Sequence, residues 1–169
     1  MGTTSPEEIL VQRFSDAGVP PTPWSQVEAV LESAELFWLS TVRSDSRPHV
    51  APLPAVWHEG RLYFCTGVDE QKAVNIERNP RVAITTGNNR WKEGLDVVIE
   101  GTAVRIDDDS RLQVLADLWR SKYSGDWDYE VRNGLFIHGD GGEALVFEVP
   151  PLKVLSFAKG RFAQTRYRF

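Results

Sequence analysis

Residues 37–82 read FWLSTVRSDSRPHVAPLPAVWHEGRLYFCTGVDEQKAVNIERNPRV, and this stretch decides the fold. Three apolar segments, 37–42, 48–57 and 61–66, are separated by turn-forming residues, which is typical of a three-stranded meander. The prolines of the second segment cannot donate to a central ladder, so they belong at a sheet edge, at a bulge or where free backbone faces a ligand. The stretch therefore predicts a meander with backbone available to a ligand.

After this meander, the spacing of the apolar residues changes from the alternation of a strand to the period of a helix. Ala73 and Ile76 lie three positions apart, and Pro80 ends the pattern because a residue before proline disfavours helical backbone angles. A short helix is therefore predicted from Asp69 to Arg78. Four residues gather at its N-terminal end: Thr66, Gly67, Gln71 and Lys72. Unpaired amides and the helix dipole favour an anion there, so the sequence predicts a phosphate pocket.

The chain resembles the flavin and deazaflavin oxidoreductases of the pyridoxamine 5′-phosphate oxidase-like split-barrel superfamily. The matching segments are WLSTV (38–42), RPHVAP (47–52), LYFCTG (62–67), Lys72 and NIERNPRV (75–82). The terminal QTRYRF (164–169) is similar to an ending found in the branch that uses deazaflavin. The ordered combination is specific, and it runs from about Trp24 to the end of the chain.

The resemblance implies a mainly β fold of the α+β class: a split β-barrel with short flanking helices, forming a homodimer with two cofactor sites at the interface. It also implies a small-molecule substrate and a set of cofactor-binding residues. These are His49, Val50, Ala51 and Pro52 beside the ring system, Thr66, Gly67, Gln71 and Lys72 at the phosphate, Trp91 near the ring, and Arg166 reaching in from the C-terminal segment. An exposed strand position for His49 and an interface plug for Trp91 are equally compatible with the residues.

The chain has 169 residues, 41% of them hydrophobic, which is enough for one domain with a substantial core. We predict an N-terminal helix and linker over residues 1–23 and a split-barrel cofactor-binding domain over residues 24–169. Ser5 as N-cap and Gly18 as stop define the first helix, and a capping box at Ser25 opens a second. Further predictions are a long strand over 95–106, a helix capped by 107–110, and closing strands over 143–149 and 153–157.

The cysteine count and the hydropathy pattern predict a cytoplasmic protein. Cys65 is the only cysteine, so no internal disulfide can form, and its strand neighbours indicate a structural position rather than a reactive thiol. The sequence contains no charged-then-apolar leader and no apolar run of about 18 residues. We therefore expect neither secretion nor a membrane partner.

The charge distribution argues against a nucleic-acid partner and singles out the C-terminal segment. The net charge is −5 at pH 7, whereas phosphate backbones are bound through accumulated lysine and arginine. Residues 150–169 nevertheless hold five basic residues and no acidic one. This segment is either a solvated tail or a cationic strip over an acidic ligand, and its interleaved aromatic residues favour docking.

Several functional classes lack their motifs in this sequence. Serine hydrolase, nucleotide hydrolase and Rossmann dehydrogenase motifs are missing, and the histidines lack metal-site spacing, so no metal is predicted. We interpret the chain as an F420-dependent oxidoreductase that transfers a hydride between the deazaflavin ring and a small unsaturated or conjugated substrate. The terminal pattern, and the cationic surface that an acidic cofactor tail needs, favour F420 over FMN.

Two alternatives stay open at this point. One is an FMN-dependent oxidoreductase, and the other is a non-catalytic protein that sequesters a flavin, a deazaflavin or haem, since a fold does not decide function. The cofactor performs the difficult chemistry in such enzymes, so no catalytic acid, base or nucleophile is assigned. The substrate and the direction of the reaction are left open.

Overall fold

The structure, a computed structural model, describes residues 5–169. Its strands are β1 Glu7–Leu10, β2 Phe37–Val42, β3 Pro48–Leu53, β4 Ala55–His58, β5 Arg61–Gly67, β6 Arg81–Thr86, β7 Leu95–Thr102, β8 Val104–Ile106, β9 Glu130–Arg132, β10 Leu135–Ile137, β11 Glu143–Val149, β12 Pro151–Ala158 and β13 Ala163–Arg168. Its helices are α1 Trp24–Ser33, α2 Gln71–Arg78 and α3 Asp109–Lys122, with a 3-10 turn at Gln12–Phe14. The predicted mainly β fold with short helices is confirmed.

The strands form two antiparallel sheets. The larger has the order β1-β13-β12-β7-β6-β2-β3, and the smaller has the order β4-β5-β11-β10-β9, with β8 also paired to β11. The chain passes from one sheet to the other at Pro54, through α2, at Ala103 and at Pro150. At Ala103 the backbone N–H donates to the Pro80 carbonyl at 2.8 Å, so the strand predicted over 95–106 is divided into β7 and β8. The segment predicted as a single strand over 48–57 is divided in the same way at Pro54, so the predicted three-stranded meander is wrong: β2 pairs with β3 in the larger sheet, and β4 pairs with β5 in the smaller. This crossing brings the end of β3 to the end of β5.

The main core lies between the two sheets and under α1. Strand β2 alternates, with Phe37, Leu39 and Thr41 buried and the residues between them turned outward. The inward positions of the other strands fill the space with large side chains: Leu62, Phe64, Ile84, Ile99 and Tyr167. Each such side chain stabilises the fold by about 1.5–3 kcal/mol relative to an exposed one.

A second apolar cluster lies between α3 and the smaller sheet. Leu112, Leu115 and Trp119 share one face of α3 and pack against side chains that include Phe136. The apolar stripe of this helix is therefore core. Asp108 caps the helix by accepting from the backbone N–H of Arg111 at 2.8 Å, as the acidic residues before it predict.

The predicted N-terminal helix is wrong. Residues Glu7–Leu10 form β1, which pairs antiparallel with β13 across most of the chain's length. The carboxylate of Glu8 accepts from the backbone N–H of Trp24 at 2.6 Å, and α1 begins at Trp24 without the predicted capping box at Ser25. A strand that pairs with a distant segment, and a cap supplied from that strand, leave no local signal. Residues 1–4 of the predicted segment 1–23 lie outside the described residues.

The C-terminal segment is an ordered strand. β13 lies between β1 and β12 in the larger sheet, so the interpretation of this segment as a solvated tail is wrong. Its alternate residues, Arg166 and Arg168, are exposed on the outer face. Among the helices in residues 5–169, none is both long and apolar enough to span a membrane.

Candidate functional site

A cavity of about 440 Å³ opens where the chain crosses from β3 to β4. Its walls come from this crossing, the end of β5, the start of α2, the segment after α3 and the turn before β11. Four of the predicted cofactor-binding residues line it: Pro52, Thr66, Gly67 and Lys72. The fold therefore brings together residues of the predicted phosphate pocket and one residue of the predicted ring-binding strand.

Two donors of the predicted phosphate pocket hold an anion that the chain itself supplies. The backbone N–H of Gly67 donates to Glu70 Oε1 at 2.8 Å, and the ammonium of Lys72 pairs with Glu70 Oε2. Lys72 is only 8% exposed. Burial alone would raise the pKa of Glu70, but the hydrogen bonds from Lys72 and Gly67 outweigh it and lower that pKa below its ordinary value. The donor set is therefore built for a negatively charged oxygen.

The rest of the cavity lining is acidic rather than basic. Asp140 and Glu143 line it together with Glu70, whereas Lys72 is the one lysine or arginine among the lining residues described. Asp140 accepts from the backbone N–H of Gly142 at 2.9 Å and lies 3.2 Å from His138 Nδ1. Three carboxylates against one ammonium favour a ligand with low charge near the anion site.

Gln71 belongs to a polar network beside the cavity rather than to its lining. Its side chain accepts from Arg43 Nη1 at 2.7 Å and donates to the Asn75 amide oxygen at 2.8 Å. The buried Asn75 amide donates to Thr41 Oγ1 at 2.8 Å, and that hydroxyl lies 3.4 Å from His49 Nδ1. The network therefore joins α2 to β2 and β3. It connects two predicted site residues, Gln71 and His49, through side chains that sequence reasoning missed.

β3 forms one edge of the larger sheet, and within residues 5–169 no strand pairs with its outer side. Of the three settings that the prolines of this strand predict, the structure shows the sheet edge. Its side chains alternate, with Val50 and Pro52 exposed and His49 and Ala51 half-buried. Burial, together with the positive charges of Arg43 and Lys72, lowers the pKa of His49, so its imidazole is neutral at pH 7. The edge leads directly into the cavity at Pro52.

An aromatic wall that was not predicted closes the side of the cavity formed by the segments after α3. It consists of Trp127, Tyr129 and His138. Trp127 and Tyr129 stack with ring centroids 6.1 Å apart, and Tyr129 stacks on Phe136 at 4.6 Å. The closely spaced aromatic residues of an otherwise polar segment were the available signal. Flat, rigid rings of this kind suit a planar, conjugated ligand.

Cys65 lies in the same wall. Its thiol is 3.3 Å from the Tyr129 hydroxyl. Burial raises the pKa of the Cys65 thiol to about 11, so it stays protonated at neutral pH. This environment fits the structural position that was predicted for it.

Trp91 lies at a different cavity. It is 75% exposed and packs on Phe162 with ring centroids 5.3 Å apart. That cavity, of about 500 Å³, is lined by residues of the loop after β6 and of the β12–β13 hairpin, including Lys159. Within the chain, the structure does not bring Trp91 to the residues that line the first cavity.

Arg166 is also distant from the first cavity within the chain. One row of paired, outward-facing residues crosses the larger sheet from Arg166 to Pro52 through Leu155, Val98, Thr85 and Trp38. Five strand spacings of about 4.8 Å separate the two ends, or about 24 Å along the sheet. An arginine side chain does not bridge that distance.

The chain matches known proteins in family and fold. A sequence model of the pyridoxamine 5′-phosphate oxidase family matches residues 24–154. A conserved hypothetical protein of Mycobacterium tuberculosis is 18% identical with a TM-score of 0.68, over 85% of this chain and 89% of that one. A structure described as an F420 reductase is 24% identical with a TM-score of 0.57, over 75% and 94%. A putative 5-nitroimidazole antibiotic resistance protein of Bacteroides thetaiotaomicron is 17% identical with a TM-score of 0.66, over 98% and 93%. No curated protein matches the chain.

Proposed function

The chain belongs to the pyridoxamine 5′-phosphate oxidase family of flavin-binding oxidoreductases, and from this premise we propose that it is an F420-dependent oxidoreductase. The observation that carries the proposal is the donor pair of Gly67 N–H and Lys72, which holds a carboxylate in the wall of the 440 Å³ cavity. Donors that bind a carboxylate in this way also suit a phosphate. The proposed reaction transfers a hydride between the deazaflavin ring and a small unsaturated or conjugated substrate.

Each part of the cavity has a role in this proposal. The bound deazaflavin supplies the hydride chemistry, while the protein supplies binding, orientation and exclusion of water. Lys72 and Gly67 hold the phosphate, and the edge of β3 from His49 to Pro52 lies along the ring system. Trp127 and Tyr129 offer an apolar wall on which a conjugated substrate packs. The protonated Cys65 thiol provides no thiolate nucleophile, which suits chemistry that the cofactor performs.

The proposal includes a homodimer with the cofactor sites at its interface. Support comes from the outer face of the larger sheet, which exposes Trp38 and Val50 at 46% and 54%. A second copy on this face would cover these side chains and bring its own Arg166 to the cofactor, a distance that Arg166 cannot bridge within one protomer. Light scattering should give a dimer at micromolar concentration, and Trp38→Glu should shift it towards monomer and weaken cofactor binding. A monomer with full-strength binding would contradict the dimeric site.

F420 is proposed over FMN on three grounds. The terminal TRYRF resembles the ending of the deazaflavin branch, exposed arginines of β13 suit an acidic tail, and the acidic cavity lining disfavours a doubly charged phosphate. An FMN-dependent oxidoreductase is the second candidate, because the donor pair suits either phosphate. A non-catalytic sequestering protein is the third, because the same cavity can hold a cofactor without turnover.

Turnover of reduced F420 tests the proposal. The purified protein should accelerate the oxidation of reduced F420 by at least one acceptor in a panel of conjugated ketones, quinones and nitroaromatics, followed by the return of deazaflavin absorbance. Reduced FMN is assayed in parallel, and Lys72→Met serves as a binding-deficient control. Tight binding of F420 without turnover across the panel would favour the sequestering protein, and faster turnover with FMN would favour the second candidate.

A further inference from the structure

Glu70 occupies the anion site with both of its carboxylate oxygens. Oε1 accepts from Gly67 N–H and Oε2 pairs with Lys72. The carboxylate also packs directly over the glycine, because a Cβ added at Gly67 would lie 3.2 Å from Glu70 Oε1 and 3.3 Å from Glu70 Cγ. A ligand phosphate that uses these donors must therefore share them with Glu70 or displace it.

Displacement does not remove the charge of Glu70 from the site. The side chain is 51% exposed, so it can turn towards solvent, but its backbone lies at the N-cap of α2, two residues before Lys72. Its carboxylate therefore stays close to any phosphate held by Lys72, at a separation of about 6 Å. The repulsion between the two anions grows with the charge on the phosphate group.

We propose that Glu70 is a specificity-determining residue that makes this site prefer a singly charged phosphodiester over a doubly charged phosphomonoester. This inference rests on the proposed function and assigns the discrimination between the two cofactors to one side chain. F420 carries its phosphate as a diester with one charge, and its further carboxylates lie along a tail away from this group. FMN carries a monoester whose charge at pH 7 is about −1.5 to −2.

The size of the effect follows from the exposure of Glu70. Glu70 is half exposed, so its repulsion of a ligand charge about 6 Å away is weakened by solvent. At that distance the repulsion raises the dissociation constant about threefold per unit of ligand charge. Removing the charge of Glu70 should therefore leave an uncharged ligand unaffected, tighten a singly charged ligand about threefold and tighten a doubly charged ligand about tenfold. The order of the three effects is the signature of the proposed role.

Three ligands that share one isoalloxazine ring isolate this effect: riboflavin, its singly charged 5′-methylphosphate diester, and FMN. Their dissociation constants are measured by quenching of ring fluorescence for the parent protein, Glu70→Gln and Glu70→Ala. Asp69→Asn is the matched control, because Asp69 is exposed one residue away and, within residues 5–169, makes no side-chain contact with Lys72 or Gly67. Circular dichroism verifies that every variant is folded.

Both Glu70 variants should bind the ligands more tightly than the parent protein, by a factor that grows with the charge of the ligand. In Asp69→Asn, the gain in affinity for FMN should be at least threefold smaller. Equal shifts for the three ligands, or equal gains in the Asp69 and Glu70 variants, would overturn the inference and leave the proposed function standing. If neither the parent protein nor the variants bind any of the three flavins saturably, and F420 does not bind either, the inference and the proposed function would both be overturned. Binding of F420 alone, with no flavin bound even by the Glu70 variants, would overturn the role of Glu70 while supporting the proposed cofactor.

Discussion

Replacing Lys72 by methionine should weaken F420 binding far more than it destabilises the fold. Lys72 is the one lysine or arginine among the described residues that line the cavity, and it is 8% exposed. A charge-assisted hydrogen bond to a phosphate is worth about 1.5–3 kcal/mol, so the dissociation constant should rise about 10- to 150-fold. The free carboxylate of Glu70 would add its own repulsion to this loss.

The effect of Lys72→Met on stability should be small for structural reasons. Methionine keeps the buried alkyl stem, and the lost ion pair is with the half-exposed Glu70, so the free energy of unfolding should fall by no more than about 1 kcal/mol. The two substitutions Glu70→Gln and Lys72→Met should combine non-additively, because the groups contact each other.

The assay is a fluorescence titration of F420 against each variant, with urea denaturation of the same samples. Arg78→Met is the matched control, since it removes an exposed positive charge from the same helix about 9 Å farther along its axis. A dissociation constant within about twofold of the parent protein, with the fold intact, would remove Lys72 from the site. Equal losses of F420 affinity in the Lys72 and Arg78 variants would show that the effect comes from general surface charge.

Three further predictions concern the framework around the site. Asn75→Ala should lower the free energy of unfolding by about 1–3 kcal/mol in urea denaturation, because it removes the amide that donates to the buried Thr41 hydroxyl; no change would contradict the network. Burial lowers the pKa of Lys122 from 10.5 to about 8. Between these pH values the unfolded chain binds more protons than the folded one, so this group makes the free energy of unfolding rise with pH. Lys122→Met should flatten that rise, and an unchanged slope would contradict the lowered pKa. Glu8→Ala should cost about 0.5–1 kcal/mol through loss of its contact with the first turn of α1, and a neutral result would mean that the contact contributes nothing.

The strands and helices with strong local patterns could be predicted from the sequence. Residues 37–42 and 61–66 form the expected strands and residues 71–78 the expected helix, because their apolar period and their turn residues are local properties. The strand expected over 48–57 was only partly predicted, because Pro54 divides it into β3 and β4, which belong to different sheets. The strand over 95–106 was only partly predicted. Its division at Ala103 depends on a hydrogen bond to Pro80, which is distant in sequence.

The N-terminus shows why local signals are sometimes misleading. Ser5 and Pro6 followed by acidic residues are typical of a helix start. Glu7–Leu10 nevertheless forms a strand at the edge of the larger sheet, where it pairs with residues 165–168 of β13. Pairing across more than 150 residues satisfies the backbone of β1 better than an isolated helical turn in that segment would.

The candidate site was predictable in its donors and not in its walls. Gly67 and Lys72 follow one another closely along the chain, so a helix start was enough to bring them together. Trp127 and His138 come close to Cys65 only through the packing of α3 and of the short strands β9 and β10. These two strands were not predicted. The position of Glu70 on the donors depends on side-chain geometry that no sequence period encodes.

The most direct test of the central claim is an equilibrium titration of F420 and FMN into the purified protein, with ring fluorescence and absorbance recorded together. The proposed function predicts saturable binding of one F420 per chain and weaker binding of FMN, with both lost in parallel when Lys72 is replaced. Saturable binding of neither cofactor to the folded protein would contradict the claim that this cavity is a flavin-type cofactor site.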